Sequence, residues 1–197
     1  KLVAKAKNRL NIFVTNQLNY RTFYHNGPSY FIRAMSFMPN DGPNMQPSSH
    51  YKELVFKDEL KNVPTCVLNS SIFYFFFKNY SNCRDFSERE IFAYPIGELS
   101  KEIIDSLNQL ETKLKNSYQE NRELKNRVYD SGLIYYEEFY PAISKPIIDE
   151  IDKVLAEHYN FTEEELDFII NYDIKYRMGD ALEGYVEEKI QKITKTD

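Results

Sequence analysis

The run Ser71-Ile72-Phe73-Tyr74-Phe75-Phe76-Phe77, closed by Lys78, limits the fold more than any other stretch of the chain. It is far shorter than the roughly 20 residues a membrane helix needs, so it has to be buried in protein. A continuous apolar run suits a buried strand or a buried helix, because the periodicity that separates the two is lost. Its start decides the matter: Asn69 and Ser70 are good N-cap residues directly before the apolar block, which predicts a helix.

A chain of 197 residues with 42% apolar residues can bury one substantial core, or two small ones, without disulfides or metals. Cys66 and Cys83 form neither a disulfide framework nor a zinc site and are expected to be reduced thiols of a cytoplasmic protein. No membrane segment is expected. The opening Lys1-Leu2-Val3-Ala4-Lys5 lacks an initiator Met and a signal-peptide pattern, and reads as a piece of a longer protein.

The net charge of -5 argues against nucleic acid, but it conceals a division. Residues 1–97 hold 12 Lys/Arg against 7 Asp/Glu, giving +5, and residues 98–197 hold 13 against 23, giving -10. Any DNA contact is therefore expected from the first part.

The texture changes at the same point. Asn11 to Thr15, Tyr20 to Tyr24 and Tyr30 to Met35 are rich in β-branched and aromatic residues and predict strands, with a turn at His25-Asn26-Gly27-Pro28-Ser29. Pro39 to Ser49 reads as a surface loop and Glu53 to Phe56 as a short strand. Ser87-Glu88-Arg89-Glu90 has capping-box form, and Phe92 to Ile96 reads as extended up to Gly97. Beyond it, Leu99, Ile103, Ile104, Leu107, Leu110 and Leu114 recur at helical steps, and the charged interval Lys115 to Arg127 would prolong that helix as a solvated spacer. Ser144 with Pro146, and then Thr162 with Glu165, signal two further helices. The expected class is α+β: a small mixed sheet with hairpins and packed helices over residues 1–97, then a helical spacer and helical docking region over 98–197.

Several chemistries lack their residues. The glycines Gly27, Gly42, Gly97, Gly132, Gly179 and Gly184 never fall within four residues of one another, so no glycine-rich loop can cradle S-adenosylmethionine. There is no Pro-Pro pair of the kind that grips a flipped adenine. His25, His50 and His158 are scattered. Asp149 or Asp152 with Asp173-Ile174-Lys175 could hold a nuclease magnesium, but solvated helix faces explain them better in so charged a region.

Three stretches taken together resemble the C-terminal target-recognition region of type IIG restriction-modification enzymes, whose adenine-N6 methyltransferase carries a TaqI-like specificity domain. They are Ser48 to Phe56; Leu68 to Tyr74 followed by Tyr80 to Ile91 and Tyr94-Pro95-Ile96; and Ser144 to Asp152 running through His158 to Gly179. The resemblance covers most of the chain from about Tyr20 to Gly179, and the order and spacing of the motifs make it fairly specific. It departs at Asn160, where the family more often has Gly.

The resemblance implies that this chain contacts double-stranded DNA and holds no cofactor and no catalytic residue itself. S-adenosylmethionine, magnesium, methyl transfer and cleavage would belong to methyltransferase and nuclease domains elsewhere in the parent chain. The candidate DNA contacts are Arg21, Tyr24, His25 and Arg33 around the hairpin turn, and Asn82, Arg84 and Arg89 in the polar connection and the turn after it. The ordinary alternatives stay open: exposed Arg is common on strands, and Arg84 could pair with Asp85 or Glu88 to fix its loop. Tyr20, Phe23, Phe31 and Ile32 are expected in the core. The competing reading of the whole chain is a protein-interaction module built on its aromatic surface and acidic helices.

Overall fold

Ser70 ends one helix and begins the next. In the computed structural model, which describes residues 2, 7–17, 20–27, 29–42, 45, 48–83, 86–129 and 132–187, α1 (Val63–Asn69) and α2 (Ser71–Tyr80) meet at this extended residue. The Ser70 hydroxyl donates to Val67 O at 2.7 Å and accepts from Phe73 N at 2.9 Å, capping α2 as predicted. Asn69 does something else. Its amide donates to Ala34 O at 2.7 Å and accepts from Ala34 N at 3.3 Å, while the Tyr118 hydroxyl donates to the same side-chain oxygen at 2.8 Å. It therefore clamps a strand of only two residues to the helices.

That strand, β2 (Ala34–Met35), and β3 (Tyr51–Phe56) flank β1 (Tyr20–His25) in an antiparallel sheet of order β2-β1-β3. α1 lies against β1 and β2, with the Thr22 and Thr65 hydroxyls bonded at 3.0 Å across the contact. Two expected strands contract. Leu10–Phe13 is a 3-10 turn, and this segment meets the end of β3 through Val14 opposite Phe56, Thr15 N to Val55 O at 2.9 Å and Lys57 N to Phe13 O at 2.9 Å. The Tyr30 to Met35 run pairs only at its end.

After α3 (Glu88–Ala93), opened by the Ser87–Glu90 capping box, α4 (Lys101–Glu120) buries Leu107, Leu110 and Leu114 as its periodicity predicts. The expected continuation through Lys115 to Arg127 is wrong. α4 stops at Glu120, and β4 (Glu123–Tyr129) turns back on β5 (Gly132–Glu138) as a two-stranded ribbon.

α5 (Lys145–Tyr159) packs on α4, α1 and α2. It ends at Asn160, held in the left-handed region at φ 53°, where Phe161 N reaches back to Ala156 O at 3.0 Å. Gly suits that position best and Asn next, so Asn160 can end the helix there. α6 (Glu163–Asn171), capped by Thr162 and Glu165, and α7 (Ile174–Met178) complete the named helices. The fold class is α+β as expected. One continuous apolar cluster runs from Leu10, Tyr24 and Phe56 through Phe73, Phe77 and Tyr94 to Leu107, Ile148, Leu155 and Tyr185, drawing on residues from both sides of Gly97.

Candidate nucleic-acid interface

Strand alternation divides the hairpin candidates between two faces. Successive β1 side chains point to opposite sides, so Arg21, Phe23 and His25 share one face while Thr22 and Tyr24 take the other. Tyr24 is only 2% exposed and meets Phe86 edge-on at 5.3 Å. Burial, helped by Glu88 and Glu90, pushes its hydroxyl up to about 12. Its expected DNA contact is thus corrected: Tyr24 is a core residue.

His25 lies opposite Tyr51 on β3, and its N–H donates to Arg33 O at 3.0 Å on the other side. Directly opposed residues of antiparallel strands share a face, so Arg33, His25 and Tyr51 form a row across the end of the sheet. His50 stacks on the His25 ring at 5.4 Å, and Tyr51 meets that ring edge-on at 5.1 Å. His25 Nδ1 accepts from Gly27 N at 3.1 Å, so the neutral ring carries its proton on Nε2 and presents a donor there. Any side chain at position 27 would bring its Cβ within 2.8 Å of the ring. Partial burial first, then the Arg33 charge and His50, lower the His25 pKa to about 4, so it is uncharged at neutral pH. Arg33 is half-buried, and its Nε is buried without a hydrogen-bond partner among the described residues.

Other candidates are partly engaged. Arg21 is exposed but pairs with Glu53 at 3.1 Å. Arg89 pairs at 2.6 Å with Glu90, the buried carboxylate of the α3 capping box, so its head group is drawn to a structural acid. Asn82 is exposed in the α2–α3 connection, and Arg84 lies outside the described residues. Phe86 N donates to Asn26 O at 3.3 Å, which sets that connection beside the β1 turn.

The sequence reading missed three features at this end: His50, Tyr51 and the ribbon. The ribbon is anchored at its base, and halfway along it Tyr135 bridges Met45. Asn40 N donates to Glu137 Oε2 at 2.8 Å and Glu137 N to Asn40 Oδ1 at 2.5 Å, with Arg122 pairing to the same Glu137 at 2.7 Å and Lys125 to Glu138. Glu137 acts electrostatically on Tyr51 and Arg33 on Glu138, so the base adjoins the row. Toward the tip, the opposed Val128 and Leu133 are 77% and 49% exposed. The missed signal was Val128-Tyr129 and Leu133 to Tyr136 flanking Asp130-Ser131-Gly132, a hairpin pattern obscured by the charged residues before it.

Of the residues weighed as a nuclease centre, Asp173 is half-buried and Lys175 exposed, but Asp149 and Asp152 are not on solvated helix faces. Lys145, Asp149, Asp152 and Arg177 are all buried. Lys145 pairs with Asp149, whose other oxygen accepts from the Tyr185 hydroxyl at 2.6 Å. Asp152 Oδ1 accepts from Ile72 N at 3.2 Å. Arg177 donates to Ser71 Oγ at 3.0 Å and Tyr30 O at 3.1 Å and lies over the Phe31 and Tyr74 rings, while Asp173 accepts from the Tyr74 hydroxyl at 3.1 Å. Burial raises the Asp152 carboxyl and lowers the Lys145 ammonium, each against its neighbours' charges. These groups tie α7 and α5 to α2. Among the described residues no group of three or more His, Cys, Asp or Glu is placed to hold a metal, and no helix is long and apolar enough to cross a membrane.

No protein-family model, curated protein or solved structure matches the chain.

Proposed function

We propose that this chain is the double-stranded-DNA recognition portion of a bacterial type IIG restriction-modification enzyme. Adenine-N6 methyl transfer and cleavage, with S-adenosylmethionine and magnesium, fall to other domains of the same cytoplasmic parent polypeptide. The observation that carries the reading is the Arg33–His25–Tyr51 row, with His50 stacked on it, in the part of the chain with the positive balance. Arg33 is a half-buried guanidinium whose Nε is sealed in, so it would meet a guanine edge or a phosphate through its terminal nitrogens. Neutral His25 adds a directional donor without charge, fit for a base edge. Arg21, exposed and on the same face as His25, supplies a phosphate contact that fixes register. The motif resemblance and the left-handed Asn160 at the family's usual Gly position support the same reading.

The test is fluorescence anisotropy of the whole 197-residue chain with a pool of duplexes of randomised sequence. With Arg21 and Arg33 each on a phosphate, affinity falls roughly twelve-fold between about 50 mM and about 200 mM salt. Arg33→Ala weakens low-salt binding by about tenfold, the loss of one charge-assisted bond. Absence of binding to any duplex at low salt refutes the proposal.

A further inference from the structure

We infer that the outer face of α6 is a docking surface for a cationic amphipathic segment of a partner protein. Phe168, in the middle of this helix, is 60% exposed and stands between two shallow clefts. The larger, about 740 Å³, combines Phe168 and Tyr172 with four carboxylates, Glu163, Glu164, Asp167 and Asp173. The smaller, about 390 Å³, lies on the other side against Phe75, Phe161 and Ile169, with Glu164 and Glu165 at its rim. Among the described residues no Lys or Arg lines either cleft.

Local structure accounts for only part of this arrangement. Glu165 completes the capping box with Thr162, and acids in a first helical turn suit the helix dipole. Asp167 and Asp173 lie beyond that turn. Their bonds to Asn171 at 2.8 Å and to the Tyr74 hydroxyl at 3.1 Å each use a single carboxylate oxygen. Phe168 serves no cap. Its ring is held edge-on by Phe75 at 5.9 Å, and Phe75 in turn meets Tyr172 edge-on at 5.0 Å, so the aromatic wall is fixed in place while its outer face stays in solvent.

Charge complementarity selects the occupant. Phosphates would be repelled by the carboxylates, and a second copy of this chain in a two-fold pairing would bring the same acidic face. A Lys or Arg head group instead gains the carboxylates and the face of an aromatic ring together, and an apolar neighbour on the same segment fills the smaller cleft. The surface does not depend on the DNA reading.

The probe is a fluorescein-labelled amphipathic helical peptide with Arg on one face and Leu on the other, titrated onto the full chain. A Gln-for-Arg version serves as its control. The Arg peptide binds, the Gln peptide does not, and an excess of duplex DNA leaves the complex intact. Phe168→Ala and the double variant Glu164→Gln/Asp167→Asn each weaken binding at least tenfold with unchanged thermal unfolding. Equal affinity for Phe168→Ala overturns the proposal, because plain charge attraction then explains the complex. So does failure of the Arg peptide to bind, equal binding of the Gln peptide, displacement by duplex, or self-association of the chain that Phe168→Ala abolishes.

Discussion

The end of the three-stranded sheet and the junction of α2, α5 and α7 are built from similar parts and set in opposite surroundings. Each joins arginine to tyrosine and to a second ionisable group. At the sheet end Arg33, His25 and Tyr51 are half-buried beside exposed His50. At the junction Lys145, Asp149, Asp152 and Arg177 are sealed, two cations against two carboxylates. The same residue types act as surface chemistry in one place and as a fastening in the other. The number of neighbouring elements decides which: one sheet end meets a turn and a ribbon base, whereas three helices converge on the junction.

The sharpest way to break this comparison is to delete one arginine from the junction. Arg177→Ala leaves two buried carboxylates facing one lysine and removes the bonds to Ser71 and Tyr30, so it costs about 3–5 kcal/mol in denaturant unfolding. A loss below about 1 kcal/mol would mean that the junction is hydrated and not a fastening. Next in size is Asn69→Ala, which strands both backbone groups of Ala34 in the core and costs about 2–3 kcal/mol. Hydrogen exchange at Ala34 N should quicken more in this variant than at the β1–β3 pairs; uniform quickening would deny the clamp its local role.

A smaller effect comes from pH. The His25 pKa is about 4 in the fold against 6.5 as the ordinary value, so between the two the unfolded chain binds the proton and the folded one does not. Its contribution is therefore complete above about pH 6.5 and is lost as pH falls toward 4. His25→Gln should show a shallower decline in urea stability across that window; parallel declines would place His25 in open solvent. Smallest of all, Val128→Ser on the ribbon should change stability by less than about 0.5 kcal/mol, since so exposed a side chain buries little. A larger loss would mean that the outer end of the ribbon packs against the body.

Helix starts were legible because their signals are local. Ser70, the Ser87–Glu90 box, Pro146 and the Thr162–Glu165 box each satisfy backbone donors, or spare one, within a single turn. α1 escaped notice, since Asn62 makes no side-chain cap and Pro64 was its main local mark. Burial was not legible. Lys145 and Asp149, four apart, read like a surface ion pair, and only the arrival of Arg177 and Tyr185 from far along the chain closes water out. In the candidate site, His25 and Arg33 stood out as a cationic and polar hairpin, but alternation turned Tyr24 inward, and Tyr51 came alongside through pairing of strands 26 residues apart in sequence.

The apolar cluster that draws on both sides of Gly97 sets the grain at which such a chain can be recombined. Grafting a different first half onto α4 and α5 would bring two unmatched halves of one core together, with Leu107, Leu114 and Ile148 facing side chains they were not fitted to. The tolerant places for exchange are the turns of the sheet and the outer ribbon, where few core residues would have to change with the insert. New surface chemistry is therefore best acquired there by short segments, while the rest is carried over as one piece.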